Sequence, residues 1–287
     1  MNTPDASPLY DITPGAGGLP RLDLASPDGA RASAYLHGAN IVSWIPAGGG
    51  ERLFLSRASR FSPGEPIQGG VPVVFPQFRL LGPLPIHGLA RLVSWQFTGA
   101  MSSGGRASAI FHLRDTEESR RLWPHAFLAE LTVSIGGNRM EAALGVTNTG
   151  IEVFKFTAAL HTYLAVPKVT DVTINGLVGL RYRDTADNGI EKPEASPRVG
   201  FTGEVDRVYL NAPADVRLVE PGRETTIRKA GFTDTVVWNP GAEKCAAAPD
   251  LEQEDYLRYV CVESACIGSP VCLAPGESWQ GSQTLIV

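Results

Sequence analysis

The sequence lacks several features that would each point to a class of function. It has no long basic run, and its 25 lysines and arginines are outnumbered by 30 acidic residues. A net charge of -5 and a pI of about 5.6 argue against nucleic acid and anionic membrane surfaces as partners. No apolar stretch approaches the length of a transmembrane helix. Met1 to Pro8 does not place a basic segment before an apolar one, so no secretory leader is expected and the cytoplasm is the predicted location. Cysteine is scarce: Cys245, Cys261, Cys266 and Cys272 all fall in the last fifth of the chain. Their spacing matches no standard zinc pattern, so free thiols in C-terminal strands and no metal are expected. No Gly-x-Ser-x-Gly elbow and no Gly-Lys-Ser/Thr phosphate loop occurs.

Helical periodicity is scarce as well. The best candidates are Thr116 to Leu122 and Asp250 to Leu257. Short apolar alternations divided by turn signals run from end to end instead. Ala32 to Trp44 reads as two strands broken at Gly38. Phe127 to Ile135 alternates, and Gly136-Gly137-Asn138 turns it back into Arg139 to Asn148, a hairpin signal. Further strands are expected at Ala107 to Leu113, Val169 to Ile174, Asp206 to Leu210, Val216 to Val219, Thr225 to Lys229, Thr235 to Trp238, Val271 to Leu273 and Gln280 to Val287. Glu191 to Pro197 reads as a loop. The 287 residues are 43% hydrophobic and carry no linker that would split them. The expectation is one all-β domain over 1–287, a sandwich or barrel, because crossover helices are missing.

His161 is the most informative residue. In Phe154 to Tyr163, Phe154, Phe156, Ala158 and Leu160 share one strand face. Lys155, Thr157, Ala159, His161 and Tyr163 share the other, so the histidine points away from the apolar layer. In Tyr259 to Glu263, Val260 and Val262 face one way and Glu263 the other. A histidine that titrates near neutrality and a carboxylate are suitable tools for moving protons on a small oxygenated molecule. The densest segment runs from Gln68 to Arg91. Gly69-Gly70 permits a close backbone approach, Pro72 and Pro76 stiffen the chain, and His87 with Arg91 suits hydroxyls or an anion. Each has a plainer reading as well: a rigid loop, a satisfied buried histidine, a solvated glutamate. Asp206 pairs with Arg207 or binds a sugar hydroxyl.

An ordered set of pieces resembles a known family. It comprises His37-Gly38-Ala39 with Trp44, Phe54-Leu55-Ser56, Gly69-Gly70-Val71-Pro72 with Phe75-Pro76, and His87-Gly88-Leu89-Ala90-Arg91 with Trp95. It continues through Leu160-His161-Thr162-Tyr163, Val205-Asp206 with Tyr209, Val237-Trp238-Asn239-Pro240, Cys261-Val262-Glu263, and Pro275-Gly276-Glu277 with Trp279. Each piece is weak alone. Together they cover nearly the whole chain, and the sequence resembles the hexose-6-phosphate mutarotase branch, the glucose-6-phosphate 1-epimerases, of the aldose 1-epimerase superfamily.

The resemblance implies a large antiparallel β-sandwich with a concave sugar-binding face. It implies interconversion of the α and β anomers of an aldose, with no metal or organic cofactor. His161 would match the general acid and Glu263 the general base. Asp206 and Arg91 would match substrate-holding residues, with His87 beside them. Two positions depart from the family's pattern. Gln68 stands where an arginine is common, and Ile86 where a glutamine is common. A lost arginine removes a bidentate, charge-assisted grip on phosphate. Gln68 can still donate a neutral hydrogen bond, and Arg57, Arg79 and Lys244 are further cations. The expected partner is a small sugar or sugar phosphate, and the expected state a monomer. Action on a neutral aldose, or a carbohydrate-binding protein without turnover, are the alternatives.

Overall fold

The computed structural model describes residues 9–287, so the leader expectation for Met1 to Pro8 lies outside the described residues. Three antiparallel sheets account for the described strands. A four-stranded sheet is a simple meander of Tyr10–Pro14, Pro20–Ala25, Arg31–Tyr35 and Ile41–Ile45. An eight-stranded sheet contains, as consecutive neighbours, Val205–Tyr209, Asp234–Asn239, Tyr259–Leu273, Phe154–Leu160 and Val73–Val74. A nine-stranded sheet includes the hairpin Phe127–Gly136 with Arg139–Asn148, which pairs Gly136 with Arg139 across a two-residue turn.

The two large sheets pack through one continuous core. Phe111, Leu131, Val133, Leu144 and Leu285 of the nine-stranded sheet meet Phe156, Leu160, Val237, Val260 and Val262 of the eight-stranded one. This is the expected sandwich, built because each sheet must cover one apolar face. The strand residues alternate accordingly: Phe127–Gly136 is buried at every second position.

The eight-stranded sheet departs from that alternation. Phe154–Leu160 is buried at six of its seven positions with only Lys155 exposed, and Tyr259–Ile267 is buried throughout. Its second face carries two small apolar clusters. Val74, Phe78, Ala159, Val208, Val236 and Ala265 form one, and Phe54, Tyr163, Tyr259 and Cys261 belong to the other. Loops therefore cover this face as well, which makes its polar residues buried rather than solvated.

Four local expectations change. Val169 to Ile174 is a 3-10 turn at Val169–Asp171 followed by the strand Thr173–Asn175. Ile190–Pro193 is an edge strand, not loop, paired with Arg181–Asp184. Only Asp255–Leu257 of the second helix candidate is helical, and the helix lies earlier, at Gly241–Ala247. Cys245 is therefore on a helix. The Thr116 candidate does form, as Glu117–Leu122, because Thr116 and Ser119 close a capping box.

Candidate active site

Four neighbouring strands converge on one cavity. Asp206 and Trp238 are register partners, as are Trp238 and Cys261, and Val236 and Glu263. With a side-chain period of two, Asp206, Trp238, Cys261 and Glu263 fall on the same face. His161 follows directly on Phe154–Leu160, the next strand in the sheet. Its backbone N–H donates to the Pro72 carbonyl at 3.0 Å, and Tyr163 donates to the Gly70 carbonyl at 2.8 Å. The Gly69-Gly70 segment is thus stitched to the histidine's strand. Gly70 has φ +73, and a Cβ there would meet the Ile41 carbonyl oxygen at 2.3 Å. Only glycine allows that approach.

The loop after Val73–Val74 forms the opposite wall. Gly88 has φ +73 and would place a Cβ 2.3 Å from the Phe75 carbonyl oxygen. That close crossing holds His87 over the sheet. The resulting cavity of about 340 Å³ is lined by Gln68, His87, Arg91, His161, Asp206 and Glu263. All six residues singled out in the sequence are therefore neighbours around one space. Arg79, Ile86, Tyr163, Trp238 and Lys244 complete the lining.

At the centre, His161 Nε2 lies 3.3 Å from Glu263 Oε1, with both side chains buried. His161 stacks on Tyr163, ring centroids 4.8 Å apart, and meets His87 edge-on at 5.5 Å. Burial pushes the imidazole of His161 down to about 3, assisted by the positive charge of Arg91 and Arg79. Burial raises the Glu263 carboxyl well above its ordinary range. Arg79 opposes that rise and Asp206 adds to it. The pair by itself therefore favours its neutral form, with the proton on the carboxyl. Burial lowers His87 to about 2, with His161, Arg91 and Arg79 adding to the effect, so this ring is neutral too. The Arg79 backbone N–H points at His87 Nδ1 at 3.4 Å. A donor there leaves the ring proton on Nε2.

Arg91 is a half-buried cation that makes no salt bridge among the described residues, and Asp250 acts on it only through space. Its Nη2 donates to the Ile86 carbonyl at 2.9 Å, while its Nε is buried without a partner. Asp206 pairs with Arg79, not with its neighbour Arg207. Arg207 is drawn away by Glu194 at 2.6 Å, because adjacent strand residues face opposite sides. Gln68 donates from Nε2 to the Tyr163 hydroxyl at 3.1 Å. Lys244 reaches the rim from the helix Gly241–Ala247 and pairs there with Glu204 at 2.7 Å. Arg57 is exposed and is not part of the lining.

The Aldose 1-epimerase family pattern matches residues 20–285. The chain belongs to the aldose 1-epimerase family. Two relatives carry the provisional name glucose-6-phosphate 1-epimerase. One, from Cenchrus ciliaris, is 33% identical over 285 residues, covering 96% of this chain and 87% of the relative. The other, from Escherichia coli K12, is 34% identical over 257 residues, covering 86% and 84%. A crystal structure from Salmonella typhimurium, provisionally described as a mutarotase, superposes with a TM-score of 0.90. It has 27% identity and covers 100% of this chain and 96% of its own. The activity of this aldose 1-epimerase is accordingly anomer interconversion of an aldose.

Trp238 and Tyr163 are the cavity residues of this epimerase that strand alternation alone did not bring forward as site residues. Alternation places Tyr163 on the His161 face and Trp238 at the end of an expected strand, without giving either a role in the site. Their signal was positional: Tyr163 is two residues from His161, and Trp238 opposes Asp206 in the register.

Proposed function

We propose that this epimerase acts on a hexose 6-phosphate, most simply glucose 6-phosphate, with His161 as general acid and Glu263 as general base. The observation that carries the choice of substrate is Arg91, a half-buried cation lining the cavity, with its Nε buried and unpartnered and no carboxylate in salt-bridge contact with it among the described residues. A cation held partly out of water with no anion beside it favours an anionic ligand. A phosphate supplies that anion, which a neutral sugar cannot. The names of the Cenchrus and Escherichia relatives point the same way.

The chemistry follows from the geometry of the pair. Ring opening starts from imidazolium and carboxylate. Glu263 takes the proton from the C1 hydroxyl, the C1=O bond forms, the C1–O5 bond breaks, and His161 protonates O5. The pair is then neutral, the form that its burial favours. The low-dielectric site thus drives transfer out of the ion-paired form, and the pair must first leave its favoured neutral form to reach it. Rotation about C1–C2 presents the other aldehyde face. Closure returns the O5 proton to His161 and a proton from Glu263 to O1. The proton count of the pair is the same in both forms, so no outside acid or base is required. His87, neutral with its proton on Nε2, suits a hydroxyl acceptor. Gln68, Arg91 and Asp206 hold the sugar and its phosphate.

We take the chain as a single domain, since one core cluster runs from Leu22 to Leu285. A cytoplasmic monomer acting on a small-molecule sugar goes with this reading.

The test is magnetisation-exchange NMR at the anomeric proton. Purified protein should accelerate α–β exchange of glucose 6-phosphate far more than that of glucose or galactose. Equal acceleration of the neutral sugars would move the substrate away from phosphosugars. No acceleration of any aldose would end the enzymatic reading.

A further inference from the structure

Two carboxylates share this buried cavity. Asp206 is 5% exposed and Glu263 2%. Burial opposes charge on each, Asp206 opposes charge on Glu263, and Glu204 opposes charge on Asp206. A general base must nevertheless be unprotonated before it can act. Some fixed positive charge has to offset the two.

Three cations line the cavity: Arg79, Arg91 and Lys244. Lys244 is bonded to Glu204 at the exposed rim. Arg91 donates to a backbone carbonyl on the far wall. Arg79 is the one among them whose guanidinium contacts either cavity carboxylate, through its bond to Asp206.

The backbone at Arg79 is arranged around that contact. Its φ is +48, a left-handed conformation that glycine adopts freely and a residue with a Cβ adopts at a cost. The conformation is locked from three sides. Gln77 Nε2 donates to the Arg79 carbonyl at 2.7 Å, and the His87 N–H donates to the same oxygen at 3.0 Å. The Gln77 side chain also bonds the Leu84 backbone at both its N–H and its carbonyl. The turn would suit glycine. What glycine could not supply is the guanidinium that spans from this loop to Asp206 on the sheet.

We propose that Arg79 is a positioning residue for the epimerase reaction: clamped on Asp206, it is the countercharge that lets Glu263 serve as base beside a second buried carboxylate. The proposal rests on the reading of Glu263 as base given above. The groups facing Glu263 are His161 and Tyr163 from the adjoining segment, Asp206 from across the sheet and Cys261 on its own strand. Arg79 and His87 face it from the loop, Arg91 from the far wall, and Glu204 with Lys244 stand at the rim. Arg79 is the counterion in contact with this acidic pair.

The experiment uses the full chain with Arg79→Gly, which fits the left-handed backbone, and Arg79→Lys, which keeps the charge. Carboxyl 13C titration in the absence of sugar, assigned with Glu263→Gln and Asp206→Asn, reads the protonation directly. The pH profile of anomer exchange reads its consequence. Arg79→Gly should raise the midpoint of a buried carboxyl by about one pH unit or more. It should move the alkaline limb of kcat/KM up with it and lose about tenfold in rate on the plateau below that limb, because imidazolium with carboxylate becomes the rarer arrangement of the pair's one proton. Arg79→Lys should restore most of the wild-type profile. An active Arg79→Gly enzyme with unshifted carboxyl midpoints and an unshifted profile would overturn this proposal alone. A wild-type protein that accelerates no aldose would overturn the epimerase reading, and this proposal with it, whatever the carboxyls do.

Discussion

Gln68 donates its side-chain amide to the hydroxyl of Tyr163 at 3.1 Å, and Tyr163 lies against the His161 ring with planes only 15° apart. The residue that replaces the family's common arginine is thus wired to the proposed acid through one aromatic ring. A neutral donor at this position keeps Tyr163 in place. On the proposed reading, the binding of phosphate then falls to other groups, Arg91 among them.

Restoring the charge at position 68 should therefore tighten phosphate binding without changing the chemistry. Gln68→Arg is expected to lower KM for glucose 6-phosphate by about tenfold, the worth of one charge-assisted hydrogen bond, with kcat nearly constant. The corresponding constants for free glucose should not move. Steady-state exchange rates at several sugar concentrations measure both. A parallel fall in KM for glucose would show that position 68 does not meet the phosphate.

Removing the acid or the base should cost rate and spare binding. His161→Asn and Glu263→Gln are near in shape to the residues they replace. Each is expected to lower kcat by about 10²–10⁴-fold, the usual worth of a positioned acid or base. Sugar affinity, read by saturation-transfer NMR or calorimetry, should change little. Undiminished turnover in either variant would refute the role assigned to that residue.

The histidines should make the protein acid-sensitive in a defined window. Burial lowers His87 from 6.5 to about 2. Between those values the unfolded chain binds the proton and the folded one does not, so stability rises with pH there. The contribution is complete above about pH 6.5 and is lost progressively as pH falls toward 2. His87→Gln should flatten the dependence of Tm on pH below 6.5 relative to the wild type. Parallel Tm curves for the two proteins would show that His87 is not buried neutral.

Stability of the sheet that carries the site should depend on Asp234. This carboxylate is 1% exposed and accepts from the backbone N–H groups of Asn211, Ile267 and Gly268 at 3.0, 2.7 and 2.8 Å. Asp234→Ala strands these donors. A loss of about 3–5 kcal/mol in urea unfolding is expected, since each buried unsatisfied group costs about 1–3 kcal/mol. A loss under about 1 kcal/mol would mean that the loop relaxes to satisfy them.

Much of the molecule was legible in the chain. Alternation placed most of the strands, and the two-residue turn at Gly137-Asn138 set the register of its hairpin. His161 and Glu263 were legible as cavity candidates for the same reason, polar groups on one face of apolar strands, whereas Gln68, Arg91 and Asp206 came forward as substrate-holding residues through the family resemblance. The helix Gly241–Ala247 was not, because it is seven residues long and its N-cap, Pro240, makes no side-chain bond. Ile190–Pro193 read as loop because it is a polar edge strand ending in proline, with burial at none of its four positions.

The sequence by itself determined the layered β architecture and the kinds of groups available for proton transfer, since both depend on local periodicity and side-chain chemistry. Pairing was decided only by the tertiary structure. Asp206 could have met Arg207, its neighbour in the chain, but the strand sends adjacent side chains to opposite faces. Arg207 goes to Glu194 on one side, and Asp206 meets Arg79, which is 127 residues away in sequence. Burial between the sheet and its covering loops then lowers the His161 and His87 rings and raises the Glu263 carboxyl. That burial comes from loops folded over the sheet, and no local pattern in the strands encodes it.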